Sequence, residues 1–103
     1  MRAFEGIRVF DATQGVAGPH CAMLLAQHGA DVVKIEPIAG DWGRSIGKKH
    51  GEHCAYGLAV NRGKRSIALD LKHPDGIAIA QKLAFEADIV LESFRPGVMG
   101  RFG

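Results

Sequence analysis

Ile89-Val90-Leu91-Glu92-Ser93-Phe94-Arg95-Pro96-Gly97 is the stretch on which the fold turns. Its first residues form a short apolar run and read as a buried strand. Ser93 to Gly97 is a polar turn punctuated by Pro96 and Gly97, and a new amphipathic segment begins after it. A strand that passes through such a turn into a helix is the repeating unit of parallel α/β sheets. Ligand-binding groups sit at these turns. The sequence carries only the start of the helix that should follow, so it reads as the first part of a larger domain.

The same unit recurs upstream. Before this strand, Pro74 opens a predicted helix that runs to about Glu86, with Ile77, Ala80, Leu83, Ala84 and Phe85 as its apolar positions. Residues 66–71, Ser-Ile-Ala-Leu-Asp-Leu, alternate and predict another strand. The segment from Ile38 to Gly57 is rich in Gly, His, Lys and Asp. It is too long for a plain connector, and a short helical turn is expected over 55–60. Asp31-Val-Val-Lys-Ile-Glu36 is a strand stopped by Pro37. Ahead of it, Pro19 marks the first turn of a helix with Cys21, Leu24, Leu25 and His28 at three-to-four spacing, closed by Gly29. Ile7-Arg-Val-Phe-Asp11 is the first strand. The order β-α-β-loop-β-α-β predicts an α/β fold: a Rossmann-like parallel sheet with helices on both faces. Its ligand-bearing strand ends would be residues 13–19, 36–44, 71–74 and 93–101.

The 103 residues suffice for one domain. A hydrophobic content of 47% and a net charge of +2 are those of an ordinary globular chain and imply no nucleic-acid partner. No apolar run approaches the roughly 18 residues of a membrane helix. The N-terminus lacks the apolar core of a signal peptide, so no membrane partner and a cytoplasmic location are expected. Cys21 and Cys54 are expected to be reduced, structural thiols. His50, His53 and Cys54 lack the further ligand pair of a zinc site, and no metal is expected. The basic residues Lys48, Lys49, Arg62, Lys64, Arg65 and Lys72 cluster, which suits either a small phosphorylated ligand or a solvated loop.

Two further patterns bear on chemistry. Gly15 and Gly18 precede a helix start, and Glu36 lies 21 residues after Gly15. That spacing resembles the ribose-reading acid of dinucleotide folds, about 20 residues beyond the glycines, but the loop is not G-x-G-x-x-G. Asp11, Asp70 and Glu92 stand at strand ends, and the expectation for each is to cap its own turn.

These blocks together resemble a known family. Ile7 to Asp11, Ala17-Gly18-Pro19, Leu25 with Gly29 to Pro37, Asn61 to Lys72, and Glu92 to Met99 resemble the N-terminus of family III CoA-transferases, the CaiB/BaiF class. That class includes formyl-CoA transferase and the α-methylacyl-CoA racemases. The resemblance runs over residues 1–103 and implies the N-terminal part of a CoA-binding α/β domain. The whole protein would move CoA from an acyl-CoA to a free carboxylic acid. Alternatives are a racemase-type enzyme or a stand-alone nucleotide-binding module. The resemblance places Gln14, Gly15, Val16, Ala17, Leu69, Lys72, Ser93, Phe94, Arg95 and Arg101 around CoA, which is a substrate; no tightly bound cofactor is implied. Val16 stands where formyl-CoA transferase has Gln, Pro37 where it has Arg, and Ser93 where Asn is common, which argues against formyl or oxalate specificity. The family's acyl-carrying aspartate lies beyond residue 103, so the 103 residues alone would be inactive. Partners implied are an acyl-CoA, a carboxylic acid and a second copy in an interlocked homo-oligomer. Residue chemistry agrees: ammonium, guanidinium and helix N-terminal groups suit the phosphates of CoA, and Phe94, Arg95 or Arg101 suits its adenine.

Overall fold

The structure is a computed structural model that describes residues 2–51 and 53–102, without the side chains of residues 49, 50, 53, 56, 101 and 102. In chain order the elements are β1 (Arg8–Ala12), α1 (Ala17–Gln27), β2 (Asp31–Glu36), a 3-10 turn (Trp42–Ser45), β3 (Lys49–His50), β4 (His53–Cys54), α2 (Ala55–Ala59), β5 (Arg65–Ala68), α3 (Pro74–Phe85), β6 (Ile89–Glu92) and a second 3-10 turn (Met99–Phe102). Four strands form a parallel sheet in the order β5-β2-β1-β6, and β3 and β4 form a separate antiparallel pair.

The two faces of the sheet follow from strand alternation. Val9 and Val32 point to one face, where Ala22 of α1 and Ala30 join them. Phe10, Ala12 and Ile35 point to the other, where Leu69 and Ala80 of α3 close the cluster. Helices therefore cover both faces of the sheet. Among the described residues no helix is long and apolar enough to cross a membrane.

Several expectations are corrected. The buried face of α1 is Pro19, Ala22 and Met23, whereas Cys21, Leu24 and His28 are exposed. At 100° per residue these two sets lie on different sides of the helix, and the small Ala22 lets the backbone approach the sheet. On α3, Phe85 is 87% exposed, so the apolar face ends at Ala84. Among the described residues β6 pairs with β1 alone, at the edge of the sheet, and Val90 is 44% exposed, so the expected buried strand is only half-buried here. β5 ends at Ala68, not Leu71, because Asp70 turns the chain. Its carbonyl accepts from His73 N and its carboxylate from Lys72 N. Gly76 makes the close approach of α3 possible, since a Cβ there would lie 2.1 Å from the Asp70 carbonyl oxygen.

Candidate functional site

The sheet order fixes where a ligand can enter. The chain leaves β1 through α1 toward β2 and later returns through α3 to β6, on the other side of β1. The two crossovers diverge between β1 and β6. A crevice opens at such a reversal, outside the carboxyl ends of the strands. Residues 13–16 follow β1, and Ser93 and Phe94 follow β6. The two turns are joined by a hydrogen bond from Gln14 N to Ser93 Oγ at 3.1 Å.

A cleft of about 440 Å³ lies at these strand ends. Ala12, Ile35 and Leu69 form its floor, and Gln14, Lys72 and Phe94 stand around it. Pro37 and Ile38 complete one side, and Ile38 is 71% exposed. Gln14, Leu69, Lys72 and Phe94 thus come together. Lys72 is exposed, and no ion pair to it is found among the described residues.

The other candidate residues fall elsewhere. Gly15 is buried beneath Trp42, with φ +87°, and a Cβ on it would lie 2.1 Å from the indole. Val16 is the N-cap of α1 with no side-chain capping bond, and Ala17 begins the helix; both are exposed. Ser93 is spent on Gln14 N. Arg95 is exposed and does not line the cleft. The Arg101 side chain lies outside the described residues, as do those of His50 and His53. No cluster of three metal-ligating side chains occurs among the described residues.

On the α1 side of the same strands lies a buried ionic layer. Lys64 Nζ donates to Asp11 Oδ2 at 2.8 Å, to Pro19 O at 2.9 Å and to Asn61 Oδ1 at 2.7 Å. Asp11 is 0% exposed, and its other oxygen accepts from the Thr13 backbone and hydroxyl. Burial pushes the Lys64 pKa below the ordinary lysine value, and the bond and charge of Asp11 offset only part of that. Lys34 Nζ donates to Thr13 O and pairs with Asp41 Oδ2, each at 2.8 Å. Glu36 takes a fork from Arg44 Nε and Nη2, both at 2.8 Å, and also accepts from Asp41 N and Ser66 Oγ. Burial acts to raise the Glu36 pKa. The hydrogen bonds from Arg44 and Asp41, with the charges of Arg44 and Lys34, outweigh it and hold Glu36 below the ordinary 4.5.

This layer bears on two patterns that the sequence left open. The basic cluster is not one ligand-facing patch, because Lys64 is buried against Asp11 and Arg65 forks onto Asp31 at 2.7 Å. Glu36 is not a ribose reader, because Arg44, Asp41 and Ser66 already occupy its carboxylate. The expectation of turn caps matches the geometry. Asp11 accepts from Thr13 N, Asp70 from Lys72 N and Glu92 from Phe94 N, each two residues on. Asp11 has the further role of pairing with Lys64.

Sequence reasoning missed Lys34 and Asp41. Its available signal was Lys34 itself, a lysine inside an otherwise β-branched strand. Period-two alternation puts Lys34 and Glu36 on one side of that strand, and Asp41 follows in a Gly-Asp turn.

The chain matches the profile of CoA-transferase family III over residues 4–103. It is 46% identical to the succinyl-CoA:mesaconate CoA-transferase of Haloarcula hispanica, covering 99% of this chain and 27% of that protein. It is 41% identical to the succinyl-CoA:glutarate CoA-transferase of Mus musculus, covering 100% of this chain and 24% of that one. Among solved structures, a CAIB/BAIF family protein from Brucella suis superposes with a TM-score of 0.91 at 36% identity, covering 98% of this chain and 28% of that chain. The chain therefore spans about a quarter of the length of the relatives it matches.

Proposed function

Because the chain belongs to CoA-transferase family III, we propose that it supplies part of the CoA cleft of an acyl-CoA:carboxylate CoA-transferase. The observation that carries the reading is the cleft at the sheet's reversal point, where Gln14, Leu69, Lys72 and Phe94 meet. All four are residues that the family resemblance puts against CoA. Lys72 gives an exposed ammonium for a phosphate. Leu69 and Phe94 give apolar contact for the pantetheine arm or the adenine. Val16 and Ala17 would flank the thiol end at the uncapped start of α1.

The reaction of the whole protein exchanges partners at a thioester. The acyl–sulfur bond of the donor breaks, a new acyl–sulfur bond forms on the acceptor, and the donor leaves as a carboxylate. The relatives' names favour succinyl-CoA as donor and a short dicarboxylic acid as acceptor. The acyl-carrying carboxylate is proposed to lie outside residues 1–103. Supporting this, Asp11, Glu36 and Asp41 are engaged in the buried ionic layer, and Asp70 and Glu92 hold turns. The whole protein is also proposed to be a homo-oligomer, which fits the exposed Ile79, Phe85 and Val90 along α3 and β6.

The test is an exchange assay on the whole protein, with succinyl-CoA and a panel of mono- and dicarboxylates, read by chromatography of the CoA esters. Formation of a new dicarboxyl-CoA supports the reading. Epimerisation of a 2-methylacyl-CoA with no exchange would replace it with the racemase alternative.

A further inference from the structure

The loop on the near side of the cleft does not hold its own shape. Thr13 O, Gln14 N and Gly15 N are three polar groups of its backbone over neighbouring residues, and among the described residues none has a backbone partner. Lys34 Nζ takes the first at 2.8 Å, Ser93 Oγ the second at 3.1 Å and Asp41 Oδ1 the third at 2.9 Å. Two of these holders are joined to each other, since Lys34 and Asp41 form an ion pair at 2.8 Å with side chains 2% exposed. Asp41 Oδ1 also accepts from Gly43 N at 2.9 Å, which ties the Trp42–Ser45 turn to the same carboxylate. The indole of Trp42 then lies against Gly15, where any Cβ would collide with it.

We infer that Asp41, backed by Lys34, is a positioning residue for CoA binding: it fixes loop 13–16 so that Gln14 faces the cleft. This rests on the CoA reading above. Asp41 does not line the CoA cleft, and so it acts through Gln14 and Gly15. The buried Asp41 carboxylate accepts both backbone N–H groups on Oδ1, and its Oδ2 lies beside the Lys34 ammonium. The loop's conformation is thereby set before a ligand arrives, and binding need not order it. Ser93 holds the same loop from the β6 side. The two supports converge on neighbouring peptides, so their effects on ligand affinity must be coupled.

The test is calorimetric titration of the whole protein with CoA, in wild type, Asp41→Asn, Ser93→Ala and the double variant. Asn keeps an acceptor for Gly15 but loses the charge that Lys34 needs. Asp41→Asn is expected to weaken CoA binding by about tenfold or more, the loss of one charge-assisted contact. In turnover the loss should appear in KM for the acyl-CoA more than in kcat. The double variant should lose less than the product of the two single losses. Arg65→Ala, which breaks the exposed pair with Asp31, should leave CoA affinity unchanged. Trp42→Ala is the second probe of the same turn, at a side chain 57% exposed, and it should also weaken CoA if Asp41→Asn does not fold. Wild-type CoA binding with equal affinity in Asp41→Asn, or in Trp42→Ala where the first does not fold, overturns this inference alone. Wild type that does not bind CoA overturns the functional reading and this inference with it. Strict additivity of Asp41→Asn and Ser93→Ala would also overturn it.

Discussion

Lys64 and Arg65 are adjacent in sequence, and the structure predicts opposite consequences for losing them. Lys64→Met removes three hydrogen bonds and leaves the Asp11 carboxylate, 0% exposed, without its cation. Breaking one side of a buried ion pair costs about 3–5 kcal/mol, because the remaining charge is stranded away from water. Arg65→Ala breaks a fork onto Asp31 whose side chains are 69% and 51% exposed. Water solvates both groups afterwards, and such pairs contribute up to about 1 kcal/mol. With a urea m-value of about 1–2 kcal/mol/M, Lys64→Met should lower the midpoint by more than about 1.5 M, and Arg65→Ala by less than about 1 M. Urea unfolding followed by far-UV circular dichroism measures both. Replacing Asp11 and Lys64 together, as Asp11→Asn with Lys64→Met, should regain much of the loss since no charge remains buried alone. Equal midpoints for Lys64→Met and Arg65→Ala would refute the assignment of Lys64 to the interior.

Lys72→Ala should weaken CoA binding by about tenfold or more with an unchanged urea midpoint, as expected for an exposed ammonium that contacts a phosphate; calorimetry and unfolding measure the two. Gly76→Ala should destabilise the fold, because the added Cβ would sit 2.1 Å from the Asp70 carbonyl oxygen and push α3 off the β5 turn; a cost of about 1–3 kcal/mol in urea unfolding is expected for such overpacking. Glu36 is depressed below 4.5 in the folded state, so the unfolded chain binds the extra proton first as pH falls. Its stabilising contribution is complete above about 4.5 and is lost as pH drops through the lower folded value. Glu36→Gln should therefore flatten the acid limb of a Tm-versus-pH curve, whereas an unaltered acid limb would remove Glu36 from the acid response.

The four strands of the parallel sheet could be read from sequence because each is a β-branched or apolar run with a turn signal behind it, whereas the two-residue strands β3 and β4 fall in the stretch read as a loop. Gly29 at φ +106° and Pro74 at the start of α3 stand where the helix rules put them. What could not be read was pairing at long range. Lys64 and Lys72 belong to one basic block, and spacing alone gives them one role. Their fates diverge because Lys64 meets Asp11, which is 53 residues earlier, while Lys72 stays at the cleft. The partial match of Glu36 to a ribose-reading acid rests on local spacing, which is blind to Arg44 folding back onto it. The phase of α1 was misread for a related reason. Cys21, Leu24 and His28 make a plausible stripe, but the sheet accepts the smaller face of Pro19 and Ala22. The edge position of β6 is a property of strand order, which a four-residue apolar run does not encode. The Lys34–Asp41 pair was within reach, since a lysine in the middle of a strand requires a partner.

Amide hydrogen exchange of the whole protein with and without CoA maps the ligand onto the chain without assuming the chemistry. If CoA lies in the cleft, exchange slows at residues 14–18, 69–73 and 93–95, with no change at the opposite end of the sheet around Asp31 and Arg65. Protection confined to α2 and the β3–β4 pair, with the loop after β1 unaffected, would contradict it.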